Sequence, residues 1–169
     1  MKDIIICVGI SGSGKSTFAN SFIKENTNYL RINRDDIRRT LVGNLDGYYQ
    51  REDLNMIERN VTGIEESIFK YLSTDYRNVI IDNTNLKQFY INRWIEISGY
   101  YKYDFKFKLF DVDLVKAKDM VLERDFLPID WNNSDYNREE FNVKYIDKQF
   151  QQYQQIKQWL LDNYKDKIL

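Results

Sequence analysis

The sequence predicts an α/β protein, a small and mostly parallel sheet covered by helices on both faces. Three observations predict it. Short apolar runs alternate along the chain with segments whose apolar residues recur every three or four positions, the pattern of buried parallel strands joined by crossover helices. The first run, Ile4–Val8, opens directly into a glycine-rich loop, and parallel sheets gather such loops at the carboxyl ends of their strands. The chain has 169 residues and one proline, with no linker, repeat or low-complexity stretch. One compact domain over residues 1–169 is the expectation.

Each element has its own signal. Ile4–Val8 is continuously apolar and reads as a buried strand, followed by a helix over Thr17–Lys24. "NYLRIN", residues 28–33, reads as a second, short strand. Leu54, Ile57, Val61, Ile64, Ile68 and Leu72 share one face of a long helix. "NVII", residues 78–81, is the third strand and ends in "DNTN". A helix over Leu86–Ser98 is expected to close on Gly99 as its C-cap. In the fourth strand, residues 104–113, Phe105, Phe107 and Leu109 alternate with Lys106 and Lys108, which suits a half-exposed edge. A helix from about Leu114 to Arg124 leads into a polar loop reaching about Tyr136. Val143, Ile146, Phe150, Tyr153, Ile156 and Leu160 then form a last helical stripe.

Composition narrows the chemistry. A net charge of -1 and a pI near 5.6 exclude a polybasic binder but leave room for a local nucleic-acid groove. The chain has no histidine. Histidine catalysis and histidine zinc sites are therefore excluded, and a general base must be a carboxylate or, less often, a lysine or tyrosine. The single cysteine, Cys7, cannot form an internal disulfide, and its place in the first apolar run reads as a small buried hydrophobe. That suits a reducing compartment. No signal-peptide pattern and no stretch of about 20 apolar residues is visible, so a cytoplasmic protein without a membrane partner is the expectation.

Gly9, Gly14, Lys15 and Ser16 complete G-x-x-x-x-G-K-S after the first strand, a phosphate-binding loop in its expected context. Free amides at the following helix start would face an anion, with Ser11, Gly12, Ser13 and Gly14 forming the cradle. Gly12 and Gly14 leave room for close approach of phosphate. Lys15 places charge at the β and γ oxygens, and Ser16 offers a hydroxyl to magnesium. Thr17 either touches the α phosphate or supports the first helical turn. The motif implies a nucleoside triphosphate with Mg2+ and leaves the acceptor open.

"RINRDDIRR" follows at residues 31–39. Asp35 and Arg38 fall just past the second strand, on the loop's side of the sheet, and share one side of a helical turn. A carboxylate there can orient an alcohol and take its proton, and a guanidinium can fork onto a phosphate. The plain alternative is a solvated helix start with Asp35 and Asp36 at its positive end. Asp82, after "VII", either orders the water shell of magnesium or caps the next helix, a role open also to Asn83–Asn85. Arg31, Arg34, Arg38 and Arg39 read as a solvated face or as a small groove for phosphates. Tyr48 and Tyr49 either stack a base or, the favoured reading, pack a helix start. Trp94 and Trp159 read as core or interface residues, and Trp131 as an exposed loop residue.

"GISGSGKST", "INRDDIRR" and "IIDNTNL", with the spacing between them, resemble the kinase domain of phage and bacterial polynucleotide 5'-hydroxyl kinases. The resemblance implies a P-loop NTPase-type three-layer sandwich with about four parallel strands. It implies transfer of the γ-phosphate of ATP to a 5'-hydroxyl end of DNA or RNA, in a bacterial cell or phage-infected host. By the same resemblance Lys15 and Ser16 serve the phosphate loop and Asp35 is the general base. Arg38 binds the phosphate beside the acceptor nucleoside, supported by Asp82 or Asn83. A lid is implied over about 120–140, with Arg124 as the better arginine to close over the triphosphate and Arg138 as the alternative. If the chain is complete, it lacks the phosphatase domain that many members carry. A homo-oligomer is compatible with the sequence. Two rivals stand beside this reading: a P-loop kinase of a small-molecule alcohol such as a sugar, an antibiotic or a sugar nucleotide, and a non-catalytic nucleotide-dependent binding module.

Overall fold

The computed structural model describes residues 2–45, 48, 51–122 and 138–169, with 138–142 as helix backbone only. Four parallel strands, β1 (Lys2–Val8), β2 (Tyr29–Ile32), β3 (Asn78–Ile81) and β4 (Tyr103–Leu109), pair in the order β2-β3-β1-β4. The helices are α1 (Lys15–Glu25), α2 (Arg34–Val42), α3 (Leu54–Thr74), α4 (Gln88–Tyr101), α5 (Leu114–Leu122) and α6 (Arg138–Tyr164). This is the expected three-layer α/β sandwich of phosphate-loop proteins.

Crossover handedness explains which helix covers which face. The chain moves one way across the sheet from β1 to β2, and the other way from β2 to β3 and from β3 to β4. Right-handed crossovers then put α1 on one face and α3 and α4 on the opposite one. The two cores follow. Ile5, Cys7 and Ile80 pack with Ala19 under α1, while Ile4, Ile6, Val79 and Ile81 join Val61, Phe69, Trp94 and Ile156 in the larger core. Because β1 and β3 are covered on both faces, each reads as an unbroken apolar run.

Register sets the site. Ile32, Ile81 and Ile6 lie level across three strands, with Phe107 beside Ile6. Asn33, Asp82 and the phosphate loop therefore emerge at one rim. β1 and β3 are neighbours whose following helices lie on opposite faces, so the rim between them is the switch point at which such sheets bind ligands. β4 stands at an edge, as its lysine alternation predicts.

Two local expectations need correction. Gly99 is not a C-cap: it lies inside α4, which ends at Lys102 in the left-handed conformation with φ 58°. Trp94 and Ser98 stay buried on the last turns of α4, and that packing carries the helix past glycine's poor propensity. No asparagine of "DNTN" caps α4, which starts at Gln88 behind Lys87 without a side-chain cap. Asn85 instead turns left-handed, φ 50°, and donates to the Cys7 carbonyl at 2.8 Å. Cys7 is buried, as expected, and burial pushes its thiol up to about 12. Trp94 is a core residue, and Trp159 packs against the core. Trp131 and Tyr49 lie outside the described residues. No helix among the described residues is long and apolar enough to cross a membrane.

Candidate active site

The loop between β1 and α1 is pinned from three sides. The Gly9 amide donates to the Thr84 carbonyl at 3.1 Å, tying the loop to the end of β3. Gly12 has φ +78°, and a β-carbon there would stand 2.6 Å from the Ala117 carbonyl oxygen of α5. Gly12 is thus required by packing against α5 as well as by the turn. Gly14, at φ +87°, faces open space, so at this position a missing side chain clears room for a ligand. On the third side, the Ser11 amide donates to Gln149 Oε1 of α6 at 2.7 Å. Lys15 folds along the loop, its Nζ donating to the Ile10 carbonyl at 2.6 Å and to Ser13 Oγ at 3.3 Å. Ser16 and Thr17 continue into α1 behind Gly14 as N-cap.

The second half of the site begins at Asn33, which ends β2 and caps α2: its Oδ1 accepts the Asp36 amide at 3.1 Å. The cap fixes the first turn of α2, which presents Asp35. Asp35 Oδ1 accepts from Arg38 Nη1 at 2.6 Å. The Arg38 guanidinium is held from its other edge by Glu58 of α3, Nε to Oε1 at 2.7 Å and Nη2 to Oε2 at 3.0 Å. Glu58 also accepts from Tyr48 Oη at 2.6 Å and Arg34 Nη2 at 2.8 Å. Burial would raise the Glu58 carboxyl, but hydrogen bonds from Arg38, Tyr48 and Arg34 outweigh it and hold the group at about 2. Tyr48 is buried against this cluster and meets the packing reading.

Behind it lies Glu65, fully buried, which accepts from Arg34 Nη1 at 3.0 Å, Arg93 Nη1 at 2.8 Å and Asn83 Nδ2 at 2.8 Å. Asn83 Oδ1 in turn accepts the Arg34 amide at 3.0 Å. Asp82 is buried too. Its Oδ2 accepts from Arg31 Nε at 2.8 Å and Asn33 Nδ2 at 3.1 Å, while its Oδ1 has no partner among the described residues. Asp82 and Asn83 direct these hydrogen bonds to Arg31, Asn33, Arg34 and Glu65 rather than to Arg38. Glu58 supports Arg38, from a helix that the resemblance did not single out. The arginine cluster is neither a solvated face nor a bare groove: Arg31 and Arg39 meet Asp36, and Arg34 and Arg38 meet Glu58.

Both halves open into one cleft of about 740 Å³ that holds Lys15, Ser16, Asp35, Arg38, Asp82 and Asn83 together. Asp35 remains 44% exposed there, the reachable partner of Arg38. Among the described residues no group of three metal-ligating side chains exists. Magnesium at a phosphate loop needs none, since triphosphate oxygens and water complete its shell. The Ser16 hydroxyl and the unpartnered Asp82 Oδ1 fit such an ion.

Residues 4–155 match the family described as the AAA domain. The chain belongs to this AAA domain family. A relative from Autographa californica nuclear polyhedrosis virus, named as a bifunctional polynucleotide kinase/RNA ligase, is 33% identical over 132 residues, covering 74% of this chain and 18% of its own. A solved structure of the Pnkp1/Rnl/Hen1 RNA repair complex matches at 28% identity and TM-score 0.71, covering 93% of this chain and 45% of the matched one. Another structure of the Pnkp1/Rnl/Hen1 complex matches at 30% identity and TM-score 0.58, over 80% and 43%. The chain spans 18% of the curated relative's length and less than half of each matched structural chain.

In this AAA domain Arg124 and most of the expected lid lie outside the described residues, and Arg138 opens α6. Sequence reasoning missed Glu58, Glu65, Arg93 and Gln149. Two of these carried a signal. Glu65 sits four residues after Val61 and four before Phe69, on the buried face of α3. Gln149 is buried within the α6 stripe, three residues after Ile146 and four before Tyr153. A polar residue on an apolar face asks for a partner.

Proposed function

We propose that the chain is an ATP-dependent kinase of polynucleotide 5'-hydroxyl ends. The observation that carries the reading is the Asp35–Arg38 pair, presented by α2 in the same cleft as the phosphate loop. The relatives' names support it, and their RNA-repair context favours RNA over DNA as the acceptor.

The reaction is an in-line displacement. Asp35 aligns the 5'-hydroxyl and takes its proton as the oxygen bonds to the γ phosphorus and the bond to the β,γ-bridging oxygen breaks. ADP leaves with that oxygen. Arg38, fixed by Glu58, forks onto the phosphate 3' to the acceptor nucleoside. Lys15 leaves the Ile10 carbonyl and turns to the transferring phosphoryl group. Gln149 holds the Ser11 amide at the mouth of the loop. Magnesium, when bound, neutralises phosphate charge, and Ser16 with Asp82 would hold it directly or through water. Arg124, with Arg138 as alternative, is the arginine proposed to close over the triphosphate.

The test is a transfer assay with γ-labelled ATP offered RNA and DNA oligonucleotides with 5'-hydroxyl ends, nucleoside 3'-monophosphates, nucleosides and sugars. Label on oligonucleotides supports the reading. Label on sugars alone makes the protein a small-molecule kinase. Slow hydrolysis with no labelled acceptor makes it a nucleotide-dependent binding module.

A further inference from the structure

The two walls of the cleft differ in charge. On the α2–α3 wall Arg31, Arg34, Arg38 and Arg39 are each matched by carboxylates. Across from it, at the start of α4, Lys87 lines the cleft, is exposed, and makes no ion pair among the described residues. Uncompensated positive charge on this wall suits an anion that enters with the acceptor.

Next to Lys87 stand two exposed aromatic rings. Phe89 is 71% exposed and Tyr90 39%, their centroids 5.6 Å apart in an edge-on arrangement. Tyr90 lines the cleft with Asp35 and Arg38. The rings rest on a rigid base, because Ile91 and Trp94 of the same helix are buried in the core, Trp94 one turn after Tyr90 on the face towards the cleft. One exposed aromatic ring is ordinary on a protein surface. Two in contact, one of them lining the cleft beside a lysine with no ion pair among the described residues, match the makeup of a single-strand platform, where bases stack on rings and cations meet the backbone. A smaller hollow of about 340 Å³ continues the cleft past Leu86 and Lys87, with Gln88, Gln152 and Gln155 as its polar lining.

Resting on the polynucleotide kinase reading, we propose that Lys87, Phe89 and Tyr90 form an acceptor subsite for the nucleotide that follows the phosphorylated one. Phe89 stacks the second base of a single strand, Tyr90 separates it from the terminal nucleoside, and Lys87 meets the intervening backbone. The subsite is tolerant of base identity, since every base offers a π-face.

Two measurements test it on the full chain. The first is the ratio of KM for a 5'-hydroxyl oligonucleotide to KM for a nucleoside 3'-monophosphate, which has no second base. Phe89→Ala should raise that ratio about tenfold, and Phe89→Tyr should restore it. The second is the fluorescence of 2-aminopurine at the second position of the oligonucleotide, quenched on binding to the wild type and not to Phe89→Ala. An unchanged ratio, or quenching that survives Phe89→Ala, overturns the subsite while the kinase reading stands. A wild type that phosphorylates neither acceptor overturns the kinase reading and the subsite together. An aromatic pair that serves a protein partner instead would leave both readouts unmoved.

Discussion

Glu58 holds Arg38 by both carboxylate oxygens, Oε1 on Nε at 2.7 Å and Oε2 on Nη2 at 3.0 Å. The grip leaves Nη1 to Asp35, so one guanidinium fixes the distance between the reachable carboxylate and the cation beside it. Glu58 is itself held by Tyr48 and Arg34. It acts through Arg38 and is a positioning residue.

Glu58→Gln should therefore lower activity without touching the donor site. A neutral amide loses the charge-assisted fork and offers one acceptor oxygen in place of two. Misplacement of Arg38 by a fraction of an ångström should cost about 10- to 100-fold in kcat/KM for acceptors bearing a 3'-phosphate. Nucleosides without that phosphate should lose much less, and affinity for an ATP analogue should hold. Equal losses on both acceptor types would reduce Glu58 to a fold residue.

The same carboxylate makes stability depend on acid. Its folded value, about 2, lies below the ordinary 4.5, so its stabilisation is fully present above the unfolded value and drains as pH falls towards 2. After discounting for its partial exposure, the contribution is about 2 kcal/mol. Urea unfolding of wild type and Glu58→Gln should differ by that order at pH 7, and the gap should narrow steadily from about pH 5 to pH 3. A gap independent of pH would mean that the ion cluster is not what Glu58 contributes.

The legible part of this protein was what local chemistry dictates. The unbroken apolar runs of β1 and β3 exist because both strands are covered on two faces, and the loop glycines are fixed by turns and close approach. Asp35 and Arg38 were legible as a pair because three residues on a helix bring them together. Their support was not. Glu58 reaches Arg38 across 20 residues and Glu65 reaches Arg93 across 28, and such pairings arise only from how α2, α3 and α4 pack. The tie of Asp82 to Arg31, one strand away, was hidden for the same reason. Gly99 misled because glycine's preference for helix ends is weaker than the burial of Trp94 and Ser98.

Lys15 gives a prediction about the loop itself as well as the reaction. Its Nζ bonds the Ile10 carbonyl and Ser13 Oγ, so it braces the loop. Lys15→Met should abolish measurable transfer, a loss of at least about 10²-fold. It should also speed hydrogen exchange of the amides from Ile10 to Ser13 in the nucleotide-free protein. Slowed transfer with unchanged exchange would limit Lys15 to the transition state.

Asp35 and Asp36 provide the sharpest comparison, since they are adjacent, alike and both in the first turn of α2. Their partners separate them. Asp35 faces Arg38, whereas Asp36 joins Arg31 to Arg39. Asp35→Asn keeps the size of the side chain and a carbonyl oxygen for Arg38, but it cannot take a proton from the acceptor. Turnover with a saturating 5'-hydroxyl oligonucleotide should fall about 10²- to 10⁴-fold, the usual worth of a positioned base, while calorimetry finds the affinity for a non-hydrolysable ATP analogue unchanged. Asp36→Asn loosens Arg31, which also holds Asp82, so a few-fold loss is expected, reduced by excess magnesium. Because proton removal can be late in a loose transition state, the Asp35→Asn loss combines alignment with proton transfer, and a pH–rate profile separates them. A lost acidic limb marks a base, and a parallel, lowered profile marks alignment alone. Normal turnover by Asp35→Asn, or a dead Asp36→Asn, would move the base to the neighbouring carboxylate.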